Sequence, residues 1–482
     1  MSSTQQASGN SARVSWKPSK SFGVPDFDEI SGVNTTLAAD VAPGSTSITV
    51  ADATGAAAGN ILRVGDDDTY QVLKIASNYV SGTTIGIDPA TPIYYQLYSG
   101  DTVREIDPTG FQKLAAFATI DNVMSRGRFE SGAITGQPML EAIRSGNVDL
   151  TFNMTFELGT EGVGFLFYNA LTNSYISEGT DKGGGVSTTL SGAVAAGDKQ
   201  IVVTSGSGFA DNQIYRLGSG ATAEVIKVDP SYTSGTTIPL TKKLRFAHAD
   251  TEAVVQLDET KPIKHTIVRG ITQSPGLDIL LAFKDVDSYA FLRGCTINSL
   301  SGTVTPDGST KVTVGFIGKA GQILTADIFG TPADVSHDFY NPWEGRITLD
   351  GTVNKRITSF TFNITNNVEG ASYIIGSPFR GSATMGDRRT GGTIEYQYFD
   401  QDIVSKTMLE SDVVIQIKWT YIKDAKHSLL IKYPRGRFTG TVHPGVPGKG
   451  ALKDSKTFDG LRDSGTNTDI HIEIESTEVT LQ

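Results

Sequence analysis

The sequence predicts a mainly β protein: two tandem β-sandwich domains with short helices, carrying two small inserted β-domains. Three observations predict it. The composition is that of strands and turns, a unit of about 70 residues occurs twice with 51 positions aligning without gaps, and a weaker repeat runs through what remains. The chain has 482 residues, with 53 Gly and only 19% charged residues. Thr, Ser, Val and Ile are plentiful, a usage that suits strands and tight turns better than long helices. At roughly 100–200 residues per domain the length allows two to four domains.

The strongest repeat sets residues 35–85 on residues 188–238 at a constant offset of 153, with 22 of 51 positions identical. It runs from Thr35-Thr36-Leu37 over Thr188-Thr189-Leu190 to the shared Ser81-Gly82-Thr83-Thr84-Ile85 and Ser234-Gly235-Thr236-Thr237-Ile238. Within it Ser47-Ile48-Thr49-Val50 alternates polar and apolar, the period of a half-buried strand. Ile61 to Val64 and Tyr70 to Ile75 read as further strands between Gly and Asp turns. The inserted domains are placed at 34–106 and 187–258. Residues 183–185, three glycines, read as a flexible joint before the second.

With both units removed, Phe117-Ala118-Thr119-Ile120-Asp121 lies over Phe362-Asn363-Ile364-Thr365-Asn366. Gly146-Asn147-Val148-Asp149 lies over Gly392-Thr393-Ile394-Glu395, and Arg293-Gly294 over Arg435-Gly436. Helical stretches follow near 165–171 and 402–409. The first core domain is therefore read as 1–33, 107–186 and 259–330, and the second as 331–482. A hairpin is predicted at Thr303-Val304-Thr305, Pro306-Asp307-Gly308 and Lys311-Val312-Thr313-Val314.

In this order the motifs resemble the tail tube (major tail) protein of a long-tailed bacterial or archaeal virus. The resemblance rests on a polar N-terminal arm at 11–22, the strand–helix unit from Asn147 to Leu171, the Arg293-Gly294-Cys295-Thr296 strand with its hairpin, and the closing Val312-Thr313-Val314-Gly315-Phe316-Ile317-Gly318. It implies tail-tube-like sandwiches whose sheets join edge to edge. With two such domains per chain, three chains would make a pseudo-hexameric ring, and rings would stack into a conduit for DNA ejection. The implied partners are the chain itself, a tape measure protein, tail-tip and terminator proteins, and viral DNA passing without sequence-specific binding. The implied place is the virion tail, assembled in the host cytoplasm. The loops at 131–145 and 381–391 are the expected ring-stacking contacts, with Phe129, Ile134, Met139, Phe379, Met385, Arg388 and Arg389 as candidates. Arg388-Arg389 is a small patch, better suited to a neighbour's carboxylate or to solvent than to gripping phosphate.

Charge agrees with a conduit that does not hold DNA. The formal net charge is −11, opposite in sign to that of nucleic-acid-binding domains. The single cysteine, Cys295, excludes an intrachain disulfide and reads as a packed core residue. The polar start lacks a signal-peptide core and no run of 18 apolar residues occurs, so no membrane partner is expected. The six histidines show no ligand spacing, no G-x-S-x-G turn is present, and Gly448-Lys449 is followed by Gly450 where a phosphate loop needs Ser or Thr. Asp66-Asp67-Asp68 suits an acidic turn better than a calcium site, since Ser219-Gly220-Ala221 replaces it in the second copy. The reading is no enzyme, no cofactor and no metal. The alternative function is a tail fibre or baseplate adhesin that grips host glycans.

Overall fold

The computed structural model describes residues 12–481 except 22–23, 26, 67–69, 115–116, 122, 131–142, 172–174, 272–273, 275, 333–337, 371, 376, 399–400 and 446–451. The protein is mainly β, and its strands pair antiparallel. The first half contributes β1 (Ala12–Ser21), β2 (Phe117–Ile120), β3 (Ser125–Glu130), β4 (Ile143–Glu157), α1 (Gly164–Leu171), β5 (Ile263–Val268), β6 (Leu277–Phe283), β7 (Ser288–Val304), β8 (Lys311–Gly318) and β9 (Ala320–Leu324). The second half contributes β10 (Gly345–Leu349), β11 (Ile357–Thr365), β12 (Arg389–Gln397), α2 (Asp402–Met408), β13 (Asp412–Thr420), β14 (Ser428–Thr439), β15 (Lys453–Gly460) and β16 (His471–Ser476).

Pairing in the first half runs β1-β6-β7-β8-β4-β2. In the second it runs β10-β13-β14-β15-β12-β11. The two orders match strand for strand, with α1 following β4 and α2 following β12. In each half one late strand also lies along the first part of the long strand: β9 on β7 and β16 on β14. The β7–β8 hairpin closes at Thr303 opposite Lys311.

The N-terminal segment differs from its reading as a polar arm. It is β1, seven residues of which pair with β6. Val14 and Trp16 alternate with Arg13 and Ser15, and Trp16 stacks on Phe165 of α1 at 3.6 Å. The alternation is a strand signal hidden by the polar residues around it.

Both small domains have one topology. In the first, Asp28–Thr36, Thr102–Asp107, Ile61–Val64 and Gln71–Lys74 form a sheet in that order, and Ser47–Thr49 pairs with Thr84–Gly86. In the second the order is Ser187–Thr189, Ala253–Gln256, Ile214–Leu217 and Glu224–Lys227, with Gln200–Val202 pairing Thr237–Pro239. The first ladder extends past position 34 to Asp28 opposite Asp107. The shared Ser-Gly-Thr-Thr-Ile run is explained locally: Tyr79 donates to the Gly82 carbonyl and Tyr232 to the Gly235 carbonyl, each at 2.8 Å.

Neither small domain hangs loosely. Against the first, the Gln322 side chain of β9 donates to the Val72 carbonyl at 2.9 Å and accepts from its amide at 3.1 Å. One amide group thus supplies both bonds of a ladder rung. Arg293 lies 4.0 Å from the Tyr70 ring on which Arg63 also sits, and donates to the Tyr70 carbonyl at 2.7 Å. Against the second, Arg245 stacks on Tyr175 at 3.8 Å and donates to its carbonyl at 2.6 Å. The glycines at 183–185 make a turn closed by the Gly185 amide on the Lys182 carbonyl. These contacts replace the flexible joint expected from their composition.

The two repeats differ inside. Where the first buries Leu97 opposite Val41, the second buries His248 opposite Val194. His248 Nε2 meets Glu224 and Nδ1 meets Glu252, each at 2.8 Å. Burial opposes charge on His248, but its hydrogen bonds to both carboxylates outweigh burial and raise its pKa. Glu224, despite its burial, and Glu252 are both held low, His248 being the main hydrogen-bonded cause. The histidine's contribution is complete below its unfolded pKa of about 6.5 and is lost as pH rises through the raised folded value. The carboxylates' contribution is complete above about 4.3 and lost as pH falls through their lowered values. The second small domain should therefore be most stable between about pH 4.3 and 6.5. His248→Leu should flatten the alkaline limb of a Tm-against-pH curve; an unchanged limb would assign that limb to other groups.

Candidate functional site

The most informative surface is the junction between the two halves, because one side of it recurs uncovered. Within the chain, Ser299–Val304 of β7 pairs with Phe360–Thr365 of β11, joining the sheets edge to edge. This is possible because the β6 ladder ends with Leu277 opposite Cys295, which frees that side of β7 beyond it. At Gly302 the aromatic ring of Phe362 lies across the backbone, and an added Cβ would sit 2.2 Å from the ring. Gly302→Ala should cost about 1–3 kcal/mol by overpacking the junction, read as a lower urea midpoint; an unchanged midpoint would mean that the ring moves aside freely. A second ladder, β5 on β16, also joins the halves.

The junction buries α1 completely. Phe167 meets Phe362 at 6.4 Å, and Ile474 and Leu481 crowd Gly164. Asn366 donates to the carbonyls of Ala170 and Ile297, each at 2.9 Å. That closes the C-terminal end of α1, where helix carbonyls lack partners.

The second half has the same parts without the cover. Leu171 at the end of α1 is 1% exposed, whereas Leu409 just after α2 is 74% exposed. Met408 is exposed beside it. Along β14, β13 ends at Arg437, which leaves Phe438 and Thr439 open on that side. At the other end of the molecule, β2 pairs only with β4 among the described residues. Its counterpart β11 is paired on both sides.

The predicted stacking residues fall in different surroundings. Ile134 and Met139 lie outside the described residues. Phe129 is placed in β3 opposite Arg144. Phe379 is fully buried: it packs with Val148 and Ala320, and its ring meets Tyr95 of the first small domain edge-on at 4.6 Å. Met385 packs on Ile317, Val368 and Ala383. Arg388 is half-buried, and exposed Arg389 pairs with Asp387 at 2.8 Å.

The same loop exposes Ile374 and Ile375, which the sequence reading passed over. Two adjacent β-branched residues in a long loop were the available signal. The loop is pinned by Arg380, which donates to the carbonyls of Gly370, Leu150 and Gly318 at 2.6, 3.1 and 2.8 Å and reaches Asp149. Among the described residues no group of three His, Cys, Asp or Glu side chains could hold a metal. Asp67 and Asp68 lie outside them.

Fold and junction together define a mainly β protein in which two sets of strands of matching order join edge to edge. A family model described as phage tail tube protein matches residues 124–460. That is well over half of the chain, and the chain belongs to this family. No curated protein matches it. The family makes it a structural component of the virion tail.

Proposed function

We propose that three copies close into a pseudo-hexameric ring and that rings stack into a tube through which viral DNA is ejected. The observation that carries this reading is the internal junction. It gives a worked example of how one sheet accepts the edge of the next, and the uncovered α2 face and open β14 end repeat its receiving side. The edge strand β2 is the matching donor. The chain would thus be a duplication, with its first core domain at 1–33, 107–186 and 259–330 and its second at 331–482. Ring closure would pair the strand edges left open in a single copy, an arrangement that protects β proteins from indiscriminate association.

On this reading the segment bearing Ile374 and Ile375, which leads into Arg389 at the start of β12, faces the neighbouring ring. The chain carries out no catalysis and assembles in the host cytoplasm. Its partners are its own copies, a tape measure protein, terminator proteins and passing DNA. Negative-stain microscopy of the purified chain tests this. Rings or tubes of uniform bore are expected; thin isolated fibres would favour the adhesin instead.

A further inference from the structure

We propose that the cleft where both small domains meet the core binds a small polyanion of the phosphate class. The cleft has a volume of about 380 Å³. Lys17 and Pro18 of β1 and Tyr168 of α1 form the core side, Asp28 and Asp107 stand at the foot of the first small domain, and Lys199, Lys242 and Lys243 come from the second. Among the described lining residues four lysines stand against two aspartates, on a chain whose net charge is −11.

The lysines differ in their partners. Asp28 takes Lys199 at 2.5 Å and Lys243 at 3.3 Å. Asp107 is turned to the Thr109 amide at 2.9 Å. Lys17 donates to the Thr109 carbonyl at 2.9 Å and stands 5.0 Å from the Phe27 ring. Lys242 has neither a carboxylate nor a hydrogen-bond partner among the described residues. Desolvation in the cleft, then the like charges of Lys17 and Lys199, hold its pKa below the ordinary lysine value.

A bound anion would relieve that repulsion, and ammonium groups serve phosphate as point charges. The charges arrive from separate parts of the chain around one hollow, where Lys199 and Lys242 remain exposed to a ligand from solvent. They are also not part of the repeated scaffold. The first small domain has Thr46 at the position that Lys199 holds in the second. The volume exceeds what one oxyanion needs, and the Tyr168 and Pro18 side chains offer apolar contact to a ligand body.

Calorimetric titration of the full chain with pyrophosphate tests the site, with sodium chloride matched for ionic strength as control because screening alone alters surface charge effects. Saturable single-site binding is expected, together with a rise in Tm that grows with ligand concentration. Lys242→Gln removes no intrachain ion pair, so it should leave the unliganded Tm in place and weaken binding about tenfold, as loss of a charged hydrogen-bond partner does. Glucose 1-phosphate serves as a second arm. Tighter binding than pyrophosphate supports the site with a saccharide phosphate as the source, and weaker or equal binding supports it with free phosphates as the source. A wild-type response no larger than that to chloride, or undiminished binding by Lys242→Gln, would overturn the proposal.

Discussion

Leu409→Asp is expected to leave the chain folded and to stop ring formation. The side chain is exposed in the single copy, and such surface changes usually alter stability by no more than about 0.5 kcal/mol. In a closed ring the same position would be covered, as Leu171 is covered at the internal junction. A carboxylate buried there without a partner costs several kcal/mol, enough to dissolve a contact that must form between separate chains. Light scattering after size exclusion should report a single chain where the parent assembles, and circular dichroism should show its strand content unchanged. Val80→Asp, at an exposed site on the first small domain, should assemble normally. Rings of undiminished yield from Leu409→Asp would remove α2 from the interface.

Arg380→Ala is expected to produce the largest loss of stability among single changes in the loop. Its guanidinium serves three backbone carbonyls and the Asp149 carboxylate while itself buried. Asp149 is half exposed and can turn to water, so the loss comes from the carbonyls left unpaired, about 1–3 kcal/mol for each that is buried. The urea midpoint should fall accordingly. Arg380→Lys should recover little, because a point charge cannot reproduce the planar fork that reaches Gly370, Leu150 and Gly318 together. A loss below about 1 kcal/mol, the value of an ordinary hydrogen bond, would show that the loop is held by its apolar contacts alone.

Much of the architecture was legible because strand period and turn chemistry are local. The repeat at an offset of 153 could be read directly, since an ungapped pattern of Ile48/Ile201, Arg63/Arg216 and Lys74/Lys227 carries its own register. The β7–β8 hairpin followed from Pro306-Asp307-Gly308, and burial of Cys295 from its apolar strand. β1 was obscured because only Val14 and Trp16 mark its inner face among polar neighbours. The junction was not legible in detail. Leu171 ends α1 and Leu409 follows α2, and what separates the two helices is the cover that Phe362, Asn366 and Leu481, far along the chain, supply to α1. Phe379 illustrates the same limit: its apolar character suggested a contact residue, but its partner Tyr95 belongs to a domain inserted elsewhere. The Gln322–Val72 rung has no periodic signature, because a side-chain amide there does the work of a backbone.

That rung also has a mechanical consequence. A domain tethered only by its two chain ends would swing before passing on a load. Here a pull on the first small domain meets an in-plane hydrogen-bonded pair and stacked arginines at once, and β9 passes the strain along β7 into the central sheet. Bonds that share a load yield together, not one after another, so the first small domain should move with the sheet it is bonded to.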